Sequence, residues 1–167
     1  MDLQLKKVHF SEQLSEETNA FTADIWFRGK KVGYAKNSGR GGCTDIHSYD
    51  LGREALQEAE AYAKTLPEIV YEGRGGLDGF SIDSDLEAQV DEMFTTWLEK
   101  KEITKYSNKG IFYEDSVGRR STISWKSHSI AQLKKHPQGR VTIQNALDKV
   151  VAKGGKVLNT NLQGYKF

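Results

Sequence analysis

Phe21, Ala23, Ile25 and Phe27 alternate with Thr22, Asp24 and Trp26. A repeat of two sends successive side chains to opposite faces, so this run predicts a strand with one buried face. Arg28-Gly29-Lys30 supplies a turn, and Val32, Tyr34 and Lys36 carry the pattern onward. The segment therefore reads as a β-hairpin. Val8 and Phe10 suggest an earlier strand, joined to the hairpin through the polar Ser11–Asn19 stretch, and Cys43 to Ser48 suggest a later one.

The period then changes. Leu51, Ala55, Leu56, Ala59, Tyr62, Ala63 and Leu66 recur at three- and four-residue steps before Pro67, with Asp50 where an N-cap would stand; this is an amphipathic helix. A short strand at Ile69–Tyr71 follows, then a glycine-rich stretch. Ser84 and Glu87 have the spacing of a capping box ahead of a second helix, whose apolar face is Leu86, Val90, Met93, Phe94, Trp97 and Leu98. The last third offers a second hairpin, Gly110 to Glu114 and Ser121 to Lys126, about a turn at Val117-Gly118-Arg119. Ser129 caps a short helix that stops near Pro137. Ile143, Ala146, Leu147, Val150 and Val151 form the face of another helix, ended by Gly154-Gly155, and Val157-Leu158 is a final short strand. Strands and helices mix without regular alternation, so the expected class is α+β, with antiparallel sheets or hairpins packed on three to four amphipathic helices. We expect an N-terminal region, residues 1–100, and a basic C-terminal region, residues 101–167, sharing one core.

With 167 residues, 37% of them hydrophobic, the chain can bury roughly 70% of its unfolded surface without a disulfide or structural metal. A single cysteine, Cys43, excludes an internal disulfide and a zinc ribbon. Met1 to Lys7 contain no signal-peptide apolar run, and no stretch approaches a membrane span. These features point to a soluble cytoplasmic protein with no membrane partner.

The formal charge of +1 conceals a strong segregation. Basic and acidic residues number 7 and 7 in 1–50, 4 and 12 in 51–100, and 13 and 4 in 101–167, giving segments of 0, −8 and +9. Either the acidic middle packs on the basic end, or the segments face different partners. The tetrapeptide Gly-Arg-Gly-Gly occurs twice, at 39–42 and 73–76. Glycine-rich turns can aim bare amides at an anion, and Arg40 and Arg74 would add planar donors for phosphate; the same glycines also serve plain turns. Neither copy matches a P-loop or a dinucleotide fingerprint. Trp26, Arg28, Lys30, Lys31, Tyr34, Lys36 and Arg40 interleave cations with rings, as nucleic-acid-binding surfaces do. A second basic surface comprises Arg119, Arg120, Lys126, Lys134, Lys135 and Arg140, with Trp125 nearby.

Cys43, Asp45 and His47 share one face of a strand by their spacing, but such a trio makes neither a triad nor a complete metal site on its own. Asp78, Asp83, Asp85 and Glu87 precede a helix, whose dipole accounts for them. No cofactor is called for.

Gly-Lys-Lys-Val-Gly-Tyr-Ala-Lys-Asn-Ser-Gly-Arg-Gly-Gly, at the centre of Phe21–Gly42, and the ending Val157-Leu158-Asn159-Thr160-Asn161-Leu162 resemble segments of small uncharacterised proteins of phages and bacterial mobile elements. That resemblance implies a compact non-enzymatic protein that binds nucleic acid or blocks a host defence complex. The expected function is a binding module for a phosphate-bearing partner, foremost nucleic acid, through Trp26, Arg28, Lys30, Lys31, Lys36, Arg40, Arg74, Arg119, Arg120 and Lys126. The alternative is a protein-interaction module that inhibits a bacterial defence complex through its acidic middle. Oligomeric state is not legible.

Overall fold

A computed structural model of the chain describes residues 2–49, 52–71 and 78–167. Among the described residues, four α-helices and antiparallel sheets make up an α+β fold. The described residues fall into two compact units, 2–71 with 78–97, and 98–167.

The first unit is built on a meander of four antiparallel strands, β1 (Leu3–Ser11), β2 (Ala20–Phe27), β3 (Lys30–Asn37) and β4 (Asp45–Ser48). Its centre is the β2–β3 hairpin. Phe27 pairs with Lys30, and the two residues between them, Arg28 and Gly29, both have positive φ, 47° and 78°. Two such residues make a type I′ turn, whose twist suits a two-residue hairpin. Arg28 accepts the left-handed conformation while its N–H donates to the Asp2 carbonyl at 2.7 Å. Two register shifts bend the sheet: one between Lys6 and His9 of β1, where Lys7 takes φ 50°, and one between Ile25 and Trp26 against β3. The second lets Val32 and Gly33 both lie buried.

Helix α1 (Arg53–Ala63) buries Leu56, Ala59 and Ala63, and the first turns of α2 (Leu86–Lys109) bury Leu86, Val90 and Phe94. These meet the apolar face of β2, where the Phe21 and Phe94 rings stack at 3.9 Å. A short hairpin, β5 (Ile69–Tyr71) and β6 (Phe80–Ile82), completes the unit. The cap of α2 differs from the sequence expectation. Asp85 Oδ1 accepts the Ala88 N–H at 2.8 Å, while Ser84 Oγ donates to the Ala63 carbonyl at 2.6 Å and Glu87 Oε1 accepts the Thr44 N–H at 2.9 Å. A carboxylate at the positive end of the dipole is the stronger cap, which frees Ser84 and Glu87 to tie other elements down. Helix α1 is preceded by Gly52 as its N-cap; Asp50 lies outside the described residues.

The second unit contains β7 (Gly110–Glu114), β8 (Arg120–Ser124), α3 (Ile130–Leu133), α4 (Pro137–Ala152) and β9 (Lys156–Val157), with strand order β8-β7-β9. Ser129 and Gln132 close a capping box on α3, and Pro137 begins α4, where its missing N–H costs no helical bond. Ile111, Ile130, Ile143, Leu147, Val150 and Leu162 form the core, with Trp125 packed against it. The segment after β9 is held by Asn159. Its Oδ1 accepts the Phe112 N–H at 2.7 Å and its Nδ2 donates to the Gly110 carbonyl at 2.9 Å, while Asn161 Nδ2 donates to the Ser107 carbonyl at 2.9 Å. The Asn-Thr-Asn-Leu ending is thus a lock that seats Leu162 in the core.

Candidate functional site

One face of the β1–β4 sheet carries α1 and α2; the register lays out the other. Gln4, Trp26 and Lys31 form one row, Lys6, Asp24, Tyr34 and His47 the next, and His9, Thr22, Lys36 and Asp45 the third. Most of these side chains are exposed, with Asp24, Trp26 and Tyr34 partly covered. Rings gather at the β3–β4 side. Tyr34 stacks on His47 at 4.8 Å and 25°, and Tyr49 lies 5.7 Å from Tyr34. His47 is exposed, so the stack is open to solvent.

Asp24 organises the middle of this face. Its carboxylate pairs with Lys31 at 2.8 Å, lies 3.9 Å from Lys7 and accepts from the Tyr49 hydroxyl at 3.3 Å. The Asp24 carboxylate raises the Lys31 pKa above the ordinary lysine value, followed by the Tyr49 contact, so Lys31 stays charged but already has a counter-ion. Trp26 is not a free stacking platform: Lys6 Nζ sits 3.7 Å over its ring, and its buried Nε1 has no hydrogen-bond partner among the described residues.

The third row opens into a cleft of about 410 Å³ at the end of the sheet, lined by His9, Thr22, Lys36 and Arg40 with Phe10, Leu14 and Phe21 beneath, and by Glu16. Lys36 and Arg40 are exposed, and neither pairs with a carboxylate among the described residues. Arg40 projects from the first Gly-Arg-Gly-Gly loop, which is a locked turn. The Gly39 carbonyl accepts the N–H groups of Glu16, Glu17 and Thr18 at 2.9, 3.0 and 3.3 Å. The Gly39 N–H goes to Asn37 Oδ1 at 2.9 Å and the Gly41 N–H to Thr18 Oγ1 at 3.3 Å. Gly39 has φ 84°, and a Cβ there would lie 2.2 Å from the Leu14 carbonyl oxygen, so only glycine fits. With these two amides spent inside the turn, the loop presents a guanidinium and not an amide nest. The second copy, with Arg74, lies outside the described residues.

The other sequence candidates are dispersed. Arg28 pairs with Asp2 at 3.4 Å, and Lys30, exposed and with no ion pair among the described residues, stands at the hairpin end opposite Phe27. In the second unit, Arg119 pairs with Asp115 at 3.0 Å. Arg120 meets Glu102 at 2.7 Å, Glu99 at 2.9 Å and Glu114 at 3.6 Å. Lys126 is exposed and lines a shallow groove with Lys109 and His128.

Asp45 and His47 share the open face, whereas Cys43 precedes β4. The Glu87 carboxylate raises the Cys43 pKa first, with burial, Asp91 and Asp45 adding to it, which disfavours the thiolate a nucleophile needs. Among the described residues no group of three or more His, Cys, Asp or Glu side chains is placed to hold a metal ion. No described helix is long and apolar enough to cross a membrane.

Lys6 and Tyr49 were not singled out by the sequence. They join the face through β1–β2 pairing and through Asp24, contacts with no local signature. No family model, curated protein or solved structure matches the chain.

Proposed function

We propose that the open face of the β1–β4 sheet binds single-stranded nucleic acid. The observation that carries this reading is the meeting of two cations with no carboxylate partner among the described residues, Lys36 and Arg40, in a cleft whose Lys36 lies one row along the sheet from the stacked Tyr34 and His47. Sequence-tolerant single-strand binding needs both parts, cations that follow the phosphates and ring faces on which bases stack. Lys36 and Arg40 supply the first, with Lys6 across the sheet; the Tyr34–His47 stack and Tyr49 supply the second. A duplex fits less well, because its bases present no ring faces to Tyr34 and His47.

Fluorescence anisotropy with a labelled single-stranded oligonucleotide at low salt tests this. Binding that falls about tenfold or more in a Lys36→Gln/Arg40→Gln variant, and falls again in Tyr34→Ala, supports it. Absence of binding by the wild-type protein, or equal binding by the double variant, removes it.

A second reading, a protein-interaction module acting on a bacterial defence complex, is favoured by the β5–β6 hairpin. Val70 and Phe80 are 70% and 61% exposed there, and Glu68, Asp78 and Asp83 stand nearby in sequence. Such a surface suits a partner with basic and apolar groups. Nuclease-resistant recovery of one defined partner from bacterial lysate, abolished by Phe80→Asp, supports this reading; recovery unaffected by that change defeats it.

A further inference from the structure

We propose that the second unit holds a separate binding site for a phosphate monoester, between α4 and the C-terminal segment. The site is a cavity of about 520 Å³ lined by Lys134, Arg140, Gln144, Gln163 and Tyr165. Its two cations are fixed without being neutralised. Lys134 Nζ donates to the Asn161 carbonyl and lies 5.8 Å over the Tyr165 ring. Arg140 Nε donates to the Lys134 carbonyl at 2.8 Å. Neither forms an ion pair with a carboxylate among the described residues, and the terminal nitrogens of Arg140 make no hydrogen bond to a described residue.

Carbonyl oxygens orient these cations but leave their charge uncompensated, unlike the carboxylates that hold Arg119 and Arg120. Asp148, one turn along α4 from Gln144, accepts from Gln144 Nε2 at 2.8 Å and forms no ion pair with either cation among the described residues. Gln144 also ties the tail, donating to the Lys166 carbonyl at 2.8 Å and accepting the Lys166 N–H at 3.3 Å. Two fixed positive charges lining one cavity match the near-double negative charge of a phosphomonoester better than a single carboxylate, and the free end of Arg140 offers a planar fork for two of its oxygens. Tyr165 provides a ring wall for whatever the phosphate is attached to. This site is independent of the sheet face, because it uses none of its residues.

A phosphomonoester can arrive as a free nucleotide or as the 5′ end of a strand, and the experiment separates them. The full chain is titrated by nuclear magnetic resonance with adenosine monophosphate, with adenosine, and with 5′-phosphorylated and 5′-hydroxyl forms of one oligonucleotide. The expected result is saturable shifts at Arg140, Gln144 and Tyr165 with the monophosphate, about tenfold weaker in Lys134→Gln/Arg140→Gln at an unchanged melting temperature. Glutamine keeps an amide donor for each carbonyl, and Arg140→Lys, which keeps the charge and loses the fork, should bind more weakly than wild type. Shifts at these residues with the phosphorylated oligonucleotide alone identify the strand end as the ligand and also support the site. No saturable shift with either phosphate, equal binding of adenosine, or undiminished binding by both variants overturns it.

Discussion

Raising salt should weaken oligonucleotide binding by an amount set by how many unpaired cations the open sheet face carries. Lys6, Lys36 and Arg40 have no carboxylate partner among the described residues, whereas Lys31 is already paired with Asp24 at 2.8 Å. Each phosphate neutralised on a single strand contributes a slope of about −0.7 in log affinity against log salt. Three contacts give about −2, so going from about 50 to 200 mM salt should lower affinity about twentyfold. Lys36→Gln/Arg40→Gln leaves one contact, a slope near −0.7 and only about a threefold loss over the same range. Anisotropy titrations at four or more salt concentrations give both slopes. A slope that the double variant leaves unchanged, or that Arg119→Gln and Arg120→Gln reduce instead, would refute the reasoning, because it would place the phosphate contacts on the basic last third.

Arg120→Gln should leave oligonucleotide binding unaltered yet lower stability by about 1 kcal/mol in chemical denaturation, since Glu99 and Glu102 are partly exposed and such pairs are individually weak. Asn159→Ala strands the buried Phe112 N–H and should cost about 1–3 kcal/mol by the same assay. Burial, opposed by the Thr44 hydroxyl and helped by Glu87 and Asp85, raises the Asp91 pKa. A carboxyl raised in the folded state favours folding below its unfolded value of about 4 and loses that contribution as pH rises through the folded value. Asp91→Asn should therefore melt higher than wild type at neutral pH, and the difference should close as pH falls below the ordinary aspartate range.

The hairpin was legible because its information is local. Period two in β2 marks both faces, and Arg28-Gly29 specifies the turn that joins β2 to β3. The helix faces of α2 and α4 were legible for the same reason, through spacings of three and four, except that Val151, expected on the α4 face, is exposed. The site was only partly so. Lys36 and Arg40 are neighbours along the chain, but that they remain unpaired while Arg120 is bound by carboxylates 18 and 21 residues away depends on packing. The charge excess of the last third did not show which of its cations are free: Arg119 and Arg120 are held by carboxylates, whereas Lys134 and Arg140 are held by carbonyls. His47 and Tyr34 meet only because β4 pairs with β3 in one register. A one-residue slip would have sent His47 to the buried face. The first Gly-Arg-Gly-Gly, at 39–42, marked a special turn, while the use of the Gly39 and Gly41 amides was decided by Asn37 and Thr18; the second copy lies outside the described residues.

Mapping a short single-stranded oligonucleotide onto the full chain by backbone chemical-shift perturbation is the most direct test of the sheet-face proposal. The account predicts saturable shifts at Thr22, Tyr34, Lys36, Arg40 and His47, with the β5–β6 hairpin unaffected. Shifts confined to residues 98–167, or none at all in low salt, would contradict it.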